Sequence, residues 1–183
     1  ESSHDIPEIN QIFLELEKSH RIKMVYKLIS HYELESILIF CNTKLSCQQL
    51  VTDLKPYNIN ALALHGDLKQ FEREQILTQF SSKACSVLIA TDVAARGLDI
   101  PLIQHVINYD LPQVPEDYIH RIGRTGRASR KGNSLTYITQ DEARYAGKLK
   151  QILLESNQTV PRELEDLEKE AYRSKNTKGK LGK

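Results

Sequence analysis

Ser36 to Leu64, SILIFCNTKLSCQQLVTDLKPYNINALAL, contains a fold decision in miniature. Ser36–Cys41 is a short apolar run, as a strand buried on both faces would be. Thr43–Leu54 then places Leu45, Leu50, Val51 and Leu54 at helical spacing, and Ile59–Leu64 is apolar again. Strand, helix, strand in about thirty residues is a crossover unit, since a parallel strand pair needs a connection of a dozen residues or more. Outward from there the alternation continues. A helical pattern over Lys69–Phe80 carries Phe71, Ile76, Leu77 and Phe80, and further strand-like runs follow at Ser86–Thr91, Leu102–Tyr109 and Asn133–Thr139. Upstream, Ile9–Leu16 suits an edge strand and Ser19–Ile29 a helix. This order predicts an α/β fold, an open, mostly parallel twisted sheet with helices on both faces and right-handed crossovers.

The end of the chain reads as helix over Gln140–Leu154, opened by Thr139, then a helix after Pro161 over Arg162–Ala171. Tyr172–Lys183 has five basic residues, no acid and two glycines, and is expected to be a mobile tail. The expected division is therefore residues 1–155, a helical extension 156–171 and a flexible basic tail 172–183.

Composition excludes several classes. The 183 residues carry 25 Lys plus Arg against 24 Asp plus Glu, a net charge of +1, so any polyanion site must be local. No apolar run approaches the roughly 18 residues of a membrane helix, and the first residues lack a signal-peptide pattern. Cys41, Cys47 and Cys85 have no metal-site spacing. These features predict an intracellular protein, cytoplasmic or nuclear, without a metal site of its own.

In open parallel sheets ligands lie beyond the carboxyl ends of the strands, so the loops after the strands are where chemistry is expected. One of them is locally basic. Arg121 to Lys131 holds five cationic side chains in eleven residues and no acid. Arg124 and Arg127 sit three apart, with Gly123 expected to end a helix in the left-handed conformation and Gly126 allowing a tight turn. Guanidinium forks match phosphate oxygens and stabilise charge on a transferring phosphoryl group. A solvated basic loop is the plain alternative.

The ordered set of segments narrows this. Ser36 to Thr43 (SILIFCNT), Gln70 to Arg73 (QFER), Ala90 to Ile100 (ATDVAARGLDI) and His120 to Arg127 (HRIGRTGR) resemble motif IV, the Q-x-x-R element, motif V and motif VI of the C-terminal RecA-like domain of DEAD-box RNA helicases. The likeness runs from about Ile9 to Leu154. It implies a RecA-like fold in an enzyme that hydrolyses ATP with Mg2+ and works on RNA. By this resemblance Arg124 and Arg127 are arginine fingers, Gly97 and Asp99 contact the nucleotide, and His120 and Arg121 couple the domains. Gly66, Gln70, Arg73 and Thr91 are implied to bind the RNA backbone. Each also has a local alternative. Thr91 can cap a short turn, Arg73 can pair with Glu72 or Glu74, and the cations at 120–121 can offset a helix dipole.

No GxxxxGK[ST] loop and no Asp-Glu-Ala-Asp segment occurs in the 183 residues. The expectation is half of a two-domain enzyme, monomeric, inactive as an ATPase alone and working with an N-terminal RecA-like domain that holds most of the ATP and Mg2+ contacts. A non-catalytic RNA-binding or protein-interaction module of the same fold is the competing reading.

Overall fold

A computed structural model describes residues 9–31, 36–96, 98, 100, 103–126 and 132–181. Six strands form one sheet: β1 (Ile9–Glu15), β2 (Ile37–Phe40), β3 (Ala61–Leu64), β4 (Val87–Ala90), β5 (His105–Asn108) and β6 (Gly132–Ile138). Their order is β1-β6-β5-β2-β4-β3, and every pairing is parallel. The expected α/β architecture is thus observed, with no antiparallel pair among the described strands.

Alternate residues of the strands serve opposite faces. Ile37 and Ile39 of β2 pack with Val87, Ile89 and Ile107 against α1 (Arg21–His31) and α2 (Lys44–Leu54), burying Val25, Cys47, Leu50 and Leu54. Leu38 and Phe40 face the other way, with Leu88, Ala90 and Val106, toward α3 (Gln70–Ser81) and the short α4 (Asp92–Ala95). On that second face, at the β1–β6 end, α5 (Asp117–Ile122), α6 (Ala146–Glu155) and α7 (Arg162–Leu181) enclose Phe13, Tyr118, Ile138, Leu149, Leu153, Leu164 and Leu167. The four core residues of β2 are all at most 2% exposed, which is why that segment carries no polar alternation.

Two sequence expectations change. The helix after Pro161 does not stop at Ala171 but continues to Leu181, so the segment expected as a flexible tail is helical over 172–181. Nothing between Pro161 and Gly179 breaks a helix. The acids lie at its beginning and the bases at its end, which suits the helix dipole. Leu164 and Leu167 also lock its first turns into the main core. The helix predicted over Gln140–Leu154 begins as a 3-10 turn, Asp141–Tyr145. A reciprocal cap starts it, with Thr139 N–H donating to Glu142 Oε1 at 3.0 Å and Glu142 N–H donating to Thr139 Oγ1 at 3.3 Å.

Candidate functional site

The chain leaves β2 toward β3 and β4 on one side, then returns to β5 and β6 on the other. The carboxyl ends of β4, β2 and β5 therefore meet where the winding reverses, the place such sheets reserve for ligands. Three polar residues emerge there: Asn42 after β2, Asp92 after β4 and Asp110 after β5.

Arg121 of α5 gathers all three. Its Nε and Nη2 donate to the two carboxylate oxygens of Asp92, each at 2.7 Å. Nη2 also donates to Asn42 Oδ1 at 2.8 Å, and Nη1 to the Asp110 carbonyl at 2.7 Å. The guanidinium lies 5.1 Å from the Phe40 ring centroid, and the side chain is fully buried. A charge so placed is tolerable only because nearly every N–H has a partner. Asp110 extends the arrangement. Its carboxylate accepts from the Asn42 N–H at 3.0 Å and faces Arg21 at 3.4 Å, and Arg21 also lies 3.5 Å from Glu142. A rail of alternating charge thus crosses the carboxyl ends of β6, β5, β2 and β4. Arg121, expected to couple domains, spends its side chain inside this chain. His120 beside it is exposed.

Arg121 fixes α5, and α5 positions Arg124. Arg124 Nη1 donates to the Leu98 carbonyl at 2.8 Å and Nη2 to the Ala95 carbonyl at 2.7 Å, so the guanidinium rests on the segment that follows β4. Gly123 ends α5 at φ −65°, in the right-handed region, so the left-handed cap expected there is absent. The backbone turns instead at Gly126, with φ 73°. Between them Thr125 is buried, its hydroxyl 2.8 and 2.9 Å from the carbonyls of Ile103 and Gln104. Gly97, Asp99 and Arg127 lie outside the described residues.

A second cluster sits at the ends of β3 and β4. Thr91 caps α4, accepting from the Ala94 N–H at 3.4 Å, which leaves its hydroxyl proton unused by that bond. Gly66 is exposed, with no atom within 4 Å of where a Cβ would stand. Arg73 Nη2 donates to the Gly66 carbonyl at 3.3 Å, and Gln70 Nε2 to Glu74 Oε1 at 3.4 Å. Arg73 therefore pairs with the Gly66 loop rather than with Glu72 or Glu74. Gly66, Gln70 and Arg73 share one surface at the N-terminus of α3, whose unpaired N–H groups and dipole favour an anion. Beside them Lys44 and Asp67 form an ion pair, which holds the Asp67 carboxyl below the usual carboxylate range.

Asn42, Asp110, Lys44 and the Arg21–Glu142 pair were not singled out from sequence. One signal was available. Two carboxylates, Asp92 and Asp110, each directly follow a buried strand, and such groups need a cation.

The chain matches the family described as the helicase conserved C-terminal domain over residues 20–129. It is 40% identical over 173 residues to the ATP-dependent RNA helicase DBP2 of Candida albicans, an alignment spanning 94% of this chain and 31% of that protein. Among solved structures, the C-terminal domain of the DEAD-box protein Dbp5 aligns with a TM-score of 0.72 and 33% identity, covering 81% of this chain and 86% of that one. Saccharomyces cerevisiae Dbp5 bound to RNA and ADP BeF3 aligns with a TM-score of 0.73 and 32% identity, covering 80% and 40%. The chain thus spans about a third of the length of the curated relative.

Proposed function

The chain belongs to the helicase C-terminal family, as the C-terminal domain of a DEAD-box RNA helicase, and from this premise we propose that it supplies the arginine fingers and part of the RNA-backbone surface for ATP-driven remodelling of RNA. The carrying observation is the anchoring of Arg124. A buried Arg121 with four hydrogen bonds fixes α5 against Asp92, and Arg124 lies three residues on, hydrogen-bonded to two main-chain carbonyls at the sheet's carboxyl edge. A guanidinium held at that edge binds an anionic γ-phosphate entering the cleft through charge-assisted, bidentate hydrogen bonds.

In this reading Arg124 and Arg127 neutralise charge on the phosphoryl group as water attacks and the bond to the β-phosphate breaks. Asp99 and Gly97 border the nucleotide. An N-terminal RecA-like domain holds the remaining phosphate contacts and Mg2+, so the isolated chain does not turn over ATP. Gly66, Gln70, Arg73 and Thr91 contact RNA phosphates, which read no sequence, and His120 and Arg121 relay between the two ligands, Arg121 by positioning. The domain acts as a monomer inside the cell, where its three buried cysteines stay reduced.

The test mixes the chain with the N-terminal domain of its parent protein and measures RNA-stimulated ATPase. Arginine fingers elsewhere contribute about 10³ to 10⁵ in rate, so Arg124→Ala is expected to abolish measurable turnover while RNA binding persists. Inactivity of the intact pair, with RNA bound, would instead favour a non-catalytic RNA-binding module.

A further inference from the structure

The charge pattern of α7 is not used by the site described above. Residues 162–171 hold five acids against two bases, whereas 172–181 hold four bases and no acid. α6 starts just beyond the carboxyl end of β6 and runs toward the opposite edge, where Gln11 Nε2 of β1 donates to the Thr159 carbonyl in the connection to α7. α7 then returns beside α6. At 1.5 Å per residue its 20 residues reach ~30 Å, about twice the length of α6. Its midpoint, Ala171–Tyr172, lines one groove with Ala143 and Arg144 of the turn that follows β6, which puts the start of the basic half at the carboxyl end of that strand.

Between the 3-10 turn, α6 and α7 lies a groove of about 760 Å³. The two acids that line it, Glu165 and Glu168, face Lys150 at 3.9 and 3.5 Å. Arg144, Lys169, Arg173 and Lys175 line the rest, so cations outnumber acids in the groove by five to two. One aromatic ring, Tyr172, lines the same groove, and a second, Tyr145, sits against the lining residue Arg144. Tyr172 is 68% exposed and Tyr145 41%, with the Arg144 guanidinium 4.8 Å from the Tyr145 centroid. Exposed rings among cations form a stacking platform along an electropositive track, the arrangement that holds single strands without sequence preference.

We propose that this groove and the basic half of α7 form a second contact for single-stranded RNA, with Arg144, Arg173 and Lys175 on phosphates and Tyr172 stacked on a base. It extends the RNA reading given above and rests on it. An acid-free, basic half-helix at the ligand edge fits a polyanion better than a neutral or apolar partner.

The experiment titrates the 183-residue chain into a labelled 12-nucleotide oligouridylate, by fluorescence anisotropy, at 50 and 200 mM salt. Arg173→Glu with Lys175→Glu is expected to weaken binding at least tenfold at the lower salt. It also lowers the slope of log K against log salt by about 1.4, for two phosphates of a single strand. Tyr172→Ala is expected to weaken binding about fivefold or more, as loss of one stacked base does, with the slope unchanged. Should the reversed charges unwind the helix by circular dichroism, the paired Gln variants are read in their place. Arg73→Glu reports on the first surface separately. Loss of binding in Arg73→Glu but not in the α7 variants overturns this proposal and leaves the RNA reading standing; the reverse pattern supports it and removes the first surface. No loss in either overturns both. Binding of polyglutamate that depends on Arg173 and Lys175, with none of RNA, identifies an acidic peptide as the occupant and overturns the proposal.

Discussion

Replacing Asp92 by alanine removes both carboxylate oxygens from a guanidinium that has no access to solvent. Arg121 loses two bonds of 2.7 Å and keeps those to Asn42 and the Asp110 carbonyl, neither of which carries charge. Breaking a buried pair from one side costs about 3–5 kcal/mol, because the remaining charge stays desolvated without a counterion. Asp92 is partly open to water, which places the expectation near the lower figure. For a domain of this size each kcal/mol lowers Tm by about 2–4 °C, so Asp92→Ala should melt on the order of 6–12 °C below the parent. The worked contrast is the double variant Asp92→Ala with Arg121→Met, which removes both charges and keeps an unbranched side chain over Phe40. It should recover much of the loss, since a buried ion pair replaced on both sides is often near neutral. Thermal and urea unfolding followed at 222 nm measure all three proteins. If Asp92→Ala costs under about 1 kcal/mol, or the double variant is less stable than Asp92→Ala alone, the description of Arg121 as a buried charge held by its partners is wrong.

Other outcomes follow from neighbouring features. Gly132→Ala would bring a Cβ to 2.6 Å from Thr125 Oγ1 and 2.7 Å from Cγ2, in a fully buried contact; overpacking of this kind costs about 1–3 kcal/mol, read as a lower urea midpoint. Arg124→Ala, by contrast, should leave the unfolding free energy measured in urea within about 2 kcal/mol of the parent, as loss of hydrogen bonds from a partly exposed side chain does, while ATPase in the reconstituted pair is lost. Burial pushes the phenol of Tyr109 up to about 12 and raises those of Tyr118 and Tyr137. The folded state thus favours their neutral forms, so stability holds below pH ~10, the ordinary tyrosine value, and falls as pH rises through the raised values. Absorbance at 295 nm should show three of the eight tyrosines ionising only as the chain unfolds, whereas a single transition near pH 10 with the fold intact would contradict their burial. Lys44→Met should raise the Asp67 carboxyl pKa toward its ordinary value, seen by NMR titration.

Much of the fold was legible because buried strands and their covering helices leave simple periodic marks. Ile37–Phe40 and Val87–Ala90 are wholly apolar because both faces are covered, and the spacing between them admits only crossover connections. Boundaries were less legible where packing decides them. The end of α7 is one such boundary: a basic, acid-poor segment has the composition of a chain end without regular structure, yet nothing in 172–178 opposes a helix and Leu164 and Leu167 anchor its first turns on the core. At Gly123 the expected left-handed cap rested on residue type alone; the chain turns at Gly126 instead, the position that carries the positive φ.

The sequence by itself determined the layered α/β architecture, the edge of the sheet that carries the site and the identity of the basic segment at 120–127, because each depends on local pattern and on the order of motifs. Only the tertiary structure decided what the charges do. Arg121 and Arg124 have the same chemistry three residues apart, yet one is buried against Asp92, Asn42 and Asp110 and the other rests on two carbonyls at the open edge. That difference arises from strands β4, β2 and β5 ending side by side, residues 42, 92 and 110 of the chain. Such long-range convergence sets burial and partners, and burial decides whether a guanidinium is locked inside the fold or lies at its open edge.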